Sequence, residues 1–261
     1  MTGMSQALEL APRYDAGKHL VQFYDASPAV LVENVSAFID EGLLAGESVV
    51  VIATPEHNDA FLTALSRGTG DLRSRRVVFL DAQATLEGLM RDGRPDWRRF
   101  EDVIGSTIRG LRRANPAAPV RAYGEMVGLL WAAGRVEAAV QLEKFWNVLA
   151  GREEFSLFCG YPIDVFAEAF DVAHVHELLC AHTQVLPGGN ASAMEAALDR
   201  AMSEVLGDQV EVVRRGAGAA SHPAWGTVPA VEATILWLRS HQPGYAAEIL
   251  SRASMYYRAG A

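Results

Sequence analysis

The sequence contains few cysteines and no long hydrophobic run. Only Cys159 and Cys180 occur among its 261 residues, so we expect no disulfide framework. No apolar run approaches the roughly 20 residues that a membrane-spanning helix requires. Residues 1–17 lack the apolar segment of a signal peptide, and we interpret them as a lead-in. These absences predict a cytoplasmic protein without a membrane partner.

Positive charge is also scarce. The chain has 23 Lys and Arg against 32 Asp and Glu, which gives a net charge of −9 and a pI near 5.3. A surface with this balance repels nucleic-acid phosphates, so we do not expect direct nucleic-acid binding. Half of the residues are hydrophobic, and a chain of this length can bury a substantial core. The composition is therefore that of a globular protein.

Several catalytic signatures are missing. The sequence has no Gly-x-Ser-x-Gly nucleophile elbow, no His-Glu-x-x-His zinc motif and no set of protein-kinase motifs. From these absences we expect no catalytic residue, no cofactor and no enzymatic activity.

The stretch 19–54 carries the strongest structural pattern. The apolar segment HLVQFY is followed by the turn DASPA, by a helix with apolar residues at three- and four-residue spacing, and by the apolar segment SVVVIAT. This order predicts a strand–helix–strand unit with parallel strands inside a sheet. The frame resembles that of a RecA-type ATPase. The turn at 24–28, however, contains neither the glycine nor the lysine of a phosphate-binding loop.

Strands and helices continue to alternate up to residue 186. Three more strands are predicted, at 76–81, 120–123 and 155–160. The segment 165–182 reads as one helix. This rhythm predicts a three-layer α/β fold in which helices flank a mostly parallel sheet.

The composition changes after Leu186. The segment PGGNAS is typical of a linker. Beyond it the sequence predicts a short strand at 210–213, a flexible stretch at 214–226, and helices at 193–206, 228–241 and 245–257. We therefore place an α/β domain at 18–186 and a small, mainly helical appendage at 187–261.

Candidate ligand-binding residues fall at the predicted carboxyl ends of the first, fourth and fifth strands, where parallel sheets commonly bind ligands. They are Tyr24, Asp25, Arg121, Tyr123, Glu125, Cys159 and Tyr161. Structural alternatives stay open for several of them. Asp25 or Ser27 could cap the next helix, Glu125 could form a buried ion pair with Arg121, and Cys159 could be a small core residue.

Histidines supply one further candidate and one cluster. His19 begins the first strand, at its amino end, where a structural role is common; we keep it as a candidate ligand contact.

His174, His176, Cys180 and His182 lie close together in the sequence. On a helix only His176 and Cys180 share a face, whereas a structural zinc site needs four ligands. We therefore expect no metal at this cluster.

Five blocks, in matching order, resemble the MEDS domain of prokaryotic signalling proteins: HLVQFYD, EGLLAGESVVVIATPEH, RAYGEMVGLLWAAG, LEKFWN and SLFCGYP. The resemblance covers roughly residues 18–187 and leaves the tail unexplained. It implies a fold similar to RecA and circadian-clock ATPases that has lost its nucleotide loop. It also implies the sensing of small molecules, including simple hydrocarbon derivatives, within transcriptional regulators and sensor kinases.

These observations favour a non-enzymatic sensory module. A small-molecule ligand, such as a hydrocarbon derivative, would bind at the strand carboxyl ends, and the appended helices would signal to a protein partner or associate with a second copy. Two alternatives stay open. One is a divergent nucleotide-binding, ATPase-like enzyme, and the other is a transcriptional regulator whose helical tail binds DNA.

Overall fold

The computed structural model describes residues 17–25, 28–68, 76–219 and 224–260. The predicted lead-in, apart from Gly17, and the proposed cap Ser27 lie outside these residues. No helix within the described ranges is long and apolar enough to cross a membrane.

Six parallel strands form the central sheet. They are β1 (His19–Phe23), β2 (Ser48–Ala53), β3 (Val77–Asp81), β6 (Val120–Gly124), β7 (Ser156–Tyr161) and β8 (Gln184–Leu186), and a short hairpin is formed by β4 (Met90–Arg91) and β5 (Arg94–Pro95). The order across the sheet is β3-β2-β6-β7-β1-β8. The predicted α/β fold with a parallel sheet is therefore confirmed.

Helices flank this sheet and form the tail. In the first half of the chain they are α1 (Ala29–Leu44), α2 (Pro55–Gly68), α3 (Ala82–Leu89), α4 (Trp97–Phe100) and α5 (Ser106–Ala114), with a π-helical turn at Glu101–Gly105 between the last two. In the second half they are α6 (Met126–Ala132), α7 (Val136–Glu153), α8 (Val172–Ala181), α9 (Ala191–Leu206), α10 (Val210–Ala219), α11 (Ala230–His241) and α12 (Pro243–Gly260).

The chain divides into two compact units. The first comprises Val32–Gly124 and Val148–Leu157, together with Gly17 and Lys18. The second comprises His19–Leu31, Glu125–Asn147 and Phe158–Ala261. The division at residue 187 that the sequence suggests stays a prediction.

The first unit is built around β2, which pairs with β3 on one side and β6 on the other. All six residues of β2 are buried, as expected of a strand covered on both faces. The aromatic ring of Phe61 packs edge-on against Tyr123, with ring centroids 5.4 Å apart. Asp81 caps α3 by accepting the Ala84 N–H at 2.7 Å, so this helix begins directly after β3.

The second unit contains the β1–β8 pair and the tail helices. The edge strand β8 was not predicted because it has only three residues. The segment after α10 lies along it: the Val185 N–H donates to the Thr227 carbonyl at 2.8 Å, and the Thr227 N–H donates to the Thr183 carbonyl at 3.1 Å. The tail is therefore hydrogen-bonded to the edge of the sheet.

Two predictions in this unit are wrong. The segment 165–182 is helical only at Val172–Ala181, because Asp171 caps α8 and Asp164 accepts the Phe166 N–H in a preceding turn. The segment 210–213 belongs to helix α10 rather than to a strand. Its apolar residues follow a helical period, with Val210, Val213 and Ala217 buried.

The flexible stretch predicted at 214–226 is helical up to Ala219. Gly216 allows this helix to pack closely, because a Cβ at that position would lie 2.3 Å from Trp237. A glycine that suggested flexibility in the sequence therefore serves close packing between helices.

Candidate functional site

Four side chains with metal-binding or acid–base chemistry meet in the second unit. His19 begins β1, Glu143 lies on α7, Cys159 lies in β7 and His182 directly follows α8. No residue of the four is more than 5% exposed. One potential ligand atom from each lies within 4.8 Å of all the others. We call these four residues the buried cluster.

Local structure explains how two members reach the interior. Glu143 lies on the face of α7 that also carries Ala139, Leu142 and Trp146, all fully buried. Cys159 and Tyr161 are two residues apart in β7, so their side chains point to the same side of the sheet.

The Glu143 carboxylate is at the centre of the cluster. The Tyr161 hydroxyl donates to Glu143 Oε1 at 2.6 Å. Nε2 of His182 lies 3.4 Å from the same oxygen, and Nε2 of His19 lies 3.4 Å from Oε2. The Cys159 thiol is 3.8 Å from Oε2 and 3.4 Å from Nε2 of His19. A buried carboxylate is thus surrounded by two imidazoles, a phenol and a thiol.

Hydrogen bonds on the outer side fix both imidazole rings. Nδ1 of His19 donates to the side-chain oxygen of Asn147 at 2.9 Å, and the Asn147 amide nitrogen donates to the Ala181 carbonyl at 3.1 Å. Nδ1 of His182 donates to the Leu178 carbonyl at 2.6 Å. Each ring therefore carries its proton on Nδ1 and turns Nε2 towards Glu143.

Burial and neighbouring charge shift the pKa values in opposite directions. Burial, followed by the nearby His182, lowers the pKa of His19 to about 4, against the opposing effect of Glu143. Burial alone would raise the pKa of Glu143, but His182, His19 and the Tyr161 hydrogen bond lower it to about 2. Burial and then the charge of Glu143 raise the pKa of the Cys159 thiol. At neutral pH the cluster therefore holds a carboxylate, a neutral His19 and a neutral thiol.

Three of the predicted site residues belong to this arrangement: His19, Cys159 and Tyr161. The sequence did not indicate Glu143 or Asn147 as site residues. It grouped His182 with His174, His176 and Cys180 rather than with His19. Glu143 could have been identified as a buried residue from its position in an apolar stripe, beside Leu142 and three residues before Trp146. A charged residue at a core position calls for a buried partner.

The remaining candidates lie elsewhere. Tyr24 and Asp25 are half-buried after β1, and burial, together with the charge of Glu125, raises the pKa of Tyr24. Glu125 is 2% exposed and directly precedes α6. Arg121 and Tyr123 belong to the first unit. Arg121 pairs there with Glu47, whose Oε2 is 2.5 Å from Nε, and donates to the Phe38 carbonyl at 3.0 Å.

The histidines on α8 do not assemble with His182. The ring of His174 contacts the carboxylate of Asp171, and Nε2 of His176 lies 3.6 Å from the Cys180 sulfur. Trp225 donates its indole N–H to Nδ1 of His176 at 3.1 Å. His176 and Cys180 thus share a face as predicted, while His182 joins the buried cluster.

Two cavities lie in the second unit, which also contains the buried cluster. The first, of about 10 Å³, lies by the carboxyl ends of β1 and β7 and is lined by residues that include Phe23, Asp25 and Gly188. It has room for about one water molecule. The second measures about 560 Å³, is partly open to solvent and is lined by α9, α10, α11 and residues 225–228. We call the second one the helical cavity.

Comparison with known proteins identifies the domain that contains the buried cluster. A family model described as "MEDS: MEthanogen/methylotroph, DcmR Sensory domain" matches residues 18–183, which is well over half of the chain and includes all four cluster residues. A search of curated proteins found no match. The resemblance carried by the five sequence blocks is thereby confirmed, and the chain belongs to the MEDS family of sensory domains.

Proposed function

We propose that this MEDS-family chain is a non-enzymatic sensory module that binds a small, largely apolar molecule and reports binding to a protein partner. The observation that carries the proposal is the helical cavity, whose volume of about 560 Å³ suits a small organic ligand. The cavity by the carboxyl ends of β1 and β7 offers about 10 Å³, so we propose the helical cavity as the ligand site.

The lining of the helical cavity indicates the class of ligand. Its apolar wall consists of Leu198, Met202, Ala217, Trp225, Val228, Ala230, Val231 and Ala233. Its charged groups include Asp199 and Arg214, which form an ion pair of 3.1 Å. A mostly apolar wall with a few polar groups fits a hydrocarbon body that carries one polar substituent.

Contacts of the cavity wall suggest how binding would be transmitted. Trp225 is hydrogen-bonded to His176 on α8, and Thr227 is hydrogen-bonded to β8. A ligand that moves either residue would act on elements at the end of the family domain and would shift a conformational equilibrium there. Exposed Tyr245 and Met255 on α12 offer a contact for a protein partner or for a second copy. In a transcriptional regulator or sensor kinase this contact would carry the signal.

Filling the cavity is expected to weaken ligand binding. We expect the purified chain to bind anilinonaphthalene sulfonate, a probe with an apolar body and one anionic group. Ala217→Phe places a ring in the cavity and should weaken probe binding by at least about tenfold, or about 1.4 kcal/mol. Fluorescence titration measures this change.

The matched control is Ala196→Phe, which makes the same substitution at an exposed position of α9. It should leave the affinity for the probe unchanged. Equal affinities for the wild-type protein and both variants would show that the probe binds outside the cavity, and the proposal would fail. Near-ultraviolet circular dichroism confirms that each variant keeps its packed core.

The enzyme alternative predicts a different result with nucleotide. The turn at 24–28 lacks the glycine-rich loop and the lysine that bind phosphates, so isothermal titration with Mg-ATP should show no binding in the micromolar range. Tight binding, with turnover lost in Glu125→Gln, would favour the divergent ATPase-like enzyme over the sensor.

A further inference from the structure

The inner side of the buried cluster brings four potential ligand atoms together. Nδ1 of His19 donates to Asn147 and Nδ1 of His182 donates to the Leu178 carbonyl, so both rings turn Nε2 towards the Glu143 carboxylate. Nε2 of His182 lies in a fully buried side chain, 3.4 Å from Glu143 Oε1, and has no partner of ordinary hydrogen-bond geometry among the described residues. A buried nitrogen beside a carboxylate is stabilised by a cation that both groups share, either a proton or a metal ion.

We propose that His19, Glu143, Cys159 and His182 bind one zinc ion inside the family domain. With bonds of about 2.0–2.3 Å, the ligand atoms of a tetrahedral zinc site lie about 3.3–3.7 Å apart. His19 Nε2 is 3.4 Å from both Cys159 Sγ and Glu143 Oε2, and the thiol is 3.8 Å from Oε2. Three of the four ligand atoms therefore already have nearly the spacing of a zinc site, and all four lie within 4.8 Å of one another.

The kinds of donor atom select the metal. Two imidazole nitrogens, one carboxylate oxygen and one thiolate sulfur suit zinc, and they are too few and too soft for calcium or magnesium. All four ligands come from the protein, so the site is closed and structural in type. When zinc binds, an Sγ–Zn bond forms and the thiol proton passes to the solvent, so one proton is released by Cys159 for each ion.

The surroundings of the cluster have the features of an outer shell around a metal. Metal-bound imidazoles commonly donate their second N–H to a carbonyl or carboxylate oxygen, as His182 does to Leu178 and His19 does to the amide oxygen of Asn147. Tyr161 in turn donates to Glu143. Asn147 is itself exposed, so the cluster lies one side chain below the surface, which gives an ion a path of entry.

The zinc site can be tested on the full chain without knowledge of any organic ligand. Elemental analysis of protein purified without chelator should give one zinc per chain. After removal of the metal, Co²⁺ should produce the visible bands of a tetrahedral site and a near-ultraviolet sulfur-to-cobalt charge-transfer band. Cys159→Ser should abolish the charge-transfer band, and Cys159→Ser and His182→Gln should each weaken zinc binding by at least about 100-fold.

Matched controls come from the histidines and the thiol on α8. Cys180→Ser and His174→Gln should leave the zinc stoichiometry and the cobalt spectrum unchanged, because both residues are exposed and lie outside the cluster. Asn147→Ala keeps all four ligands and alters an exposed side chain. It should fold normally and weaken zinc binding by about 10–100-fold. If a ligand variant fails to fold, Asn147→Ala still tests whether the buried cluster binds zinc.

Two results would overturn the proposal. One is a wild-type protein that retains no zinc and shows no cobalt charge-transfer band; the cluster would then be an ion pair that holds only a proton. The other is a band that survives Cys159→Ser and is lost in Cys180→Ser, which would place the metal on α8. Neither result bears on the probe titration of the helical cavity, so the two proposals fail independently.

Discussion

Removal of the Glu47 carboxylate is expected to lower the free energy of unfolding by about 3–5 kcal/mol. Its partner Arg121 is 6% exposed and lies in the core of the first unit, with its guanidinium 5.0 Å from the ring centroid of Phe38. Glu47 contacts two nitrogens of this group, at 2.5 Å and 3.4 Å. Without Glu47, the buried cation would retain the half-buried Glu41, at 3.8 Å, as its counter-charge among the described residues.

Replacing both partners separates this effect from a loss of packing. In the double variant Glu47→Ala with Arg121→Met no charge is left buried, so we expect most of the lost stability to return. Denaturant unfolding of the two single variants and the double variant measures the coupling between the residues.

The control for this prediction is Glu211→Ala, which breaks an exposed pair with Arg214 and should cost less than about 1 kcal/mol. A Glu47→Ala variant as stable as this control would show that Arg121 does not depend on Glu47. Arg121 would then be available for a ligand, which is the role that the sequence suggested.

The same substitution at two helical glycines is expected to have opposite effects. Gly128 lies on α6, and a Cβ there would be 2.5 Å from the Gly160 carbonyl oxygen and 2.9 Å from Pro162. Gly128→Ala must displace backbone at the end of β7, so we expect a loss of about 1–3 kcal/mol or more. Gly110 is exposed on α5, with no atom within 4 Å of an added Cβ. Gly110→Ala should stabilise by about 0.5–1 kcal/mol, because alanine favours the helix.

Thermal and denaturant unfolding of the two variants test this pair. An unchanged stability in Gly128→Ala would contradict the packing of α6 against the end of β7, and a destabilisation in Gly110→Ala would contradict the open surroundings of that position on α5. Because β7 also carries Cys159 and Tyr161, Gly128→Ala should disturb the buried cluster as well.

Long, periodic elements could be predicted from the sequence, whereas elements defined by distant partners could not. The helix α1 and the strand β2 carry their own pattern of apolar residues, and the sequence predicted both within the stretch 19–54. The strand β8 has three residues and is a strand only because β1 lies beside it. The valines of α10 favoured a strand by propensity, but burial against neighbouring helices decided its conformation.

The residues of the candidate site show the same difference: some could be recognised from the local sequence, and others only from the tertiary structure. His19, Cys159 and Tyr161 stand out locally, as polar side chains at the ends of apolar segments. Glu143 lies inside a helix, and its relation to His19 and His182 appears only when β1, α7 and the end of α8 meet. Short-range spacing therefore grouped His182 with the histidines of α8, whereas tertiary structure grouped it with His19, their ring centroids 4.1 Å apart.

The place of β1 between β7 and β8 has a consequence for the order of events during synthesis. His19 leaves the ribosome 164 residues before Thr183, with which it exchanges hydrogen bonds. At about 5–20 residues per second, this interval is on the order of ten to thirty seconds. β1, the first strand to be synthesised, therefore has both of its neighbouring strands only after β7 and β8 have been synthesised. Completion of the sheet, and of the buried cluster with it, is a late step that depends on the whole family domain.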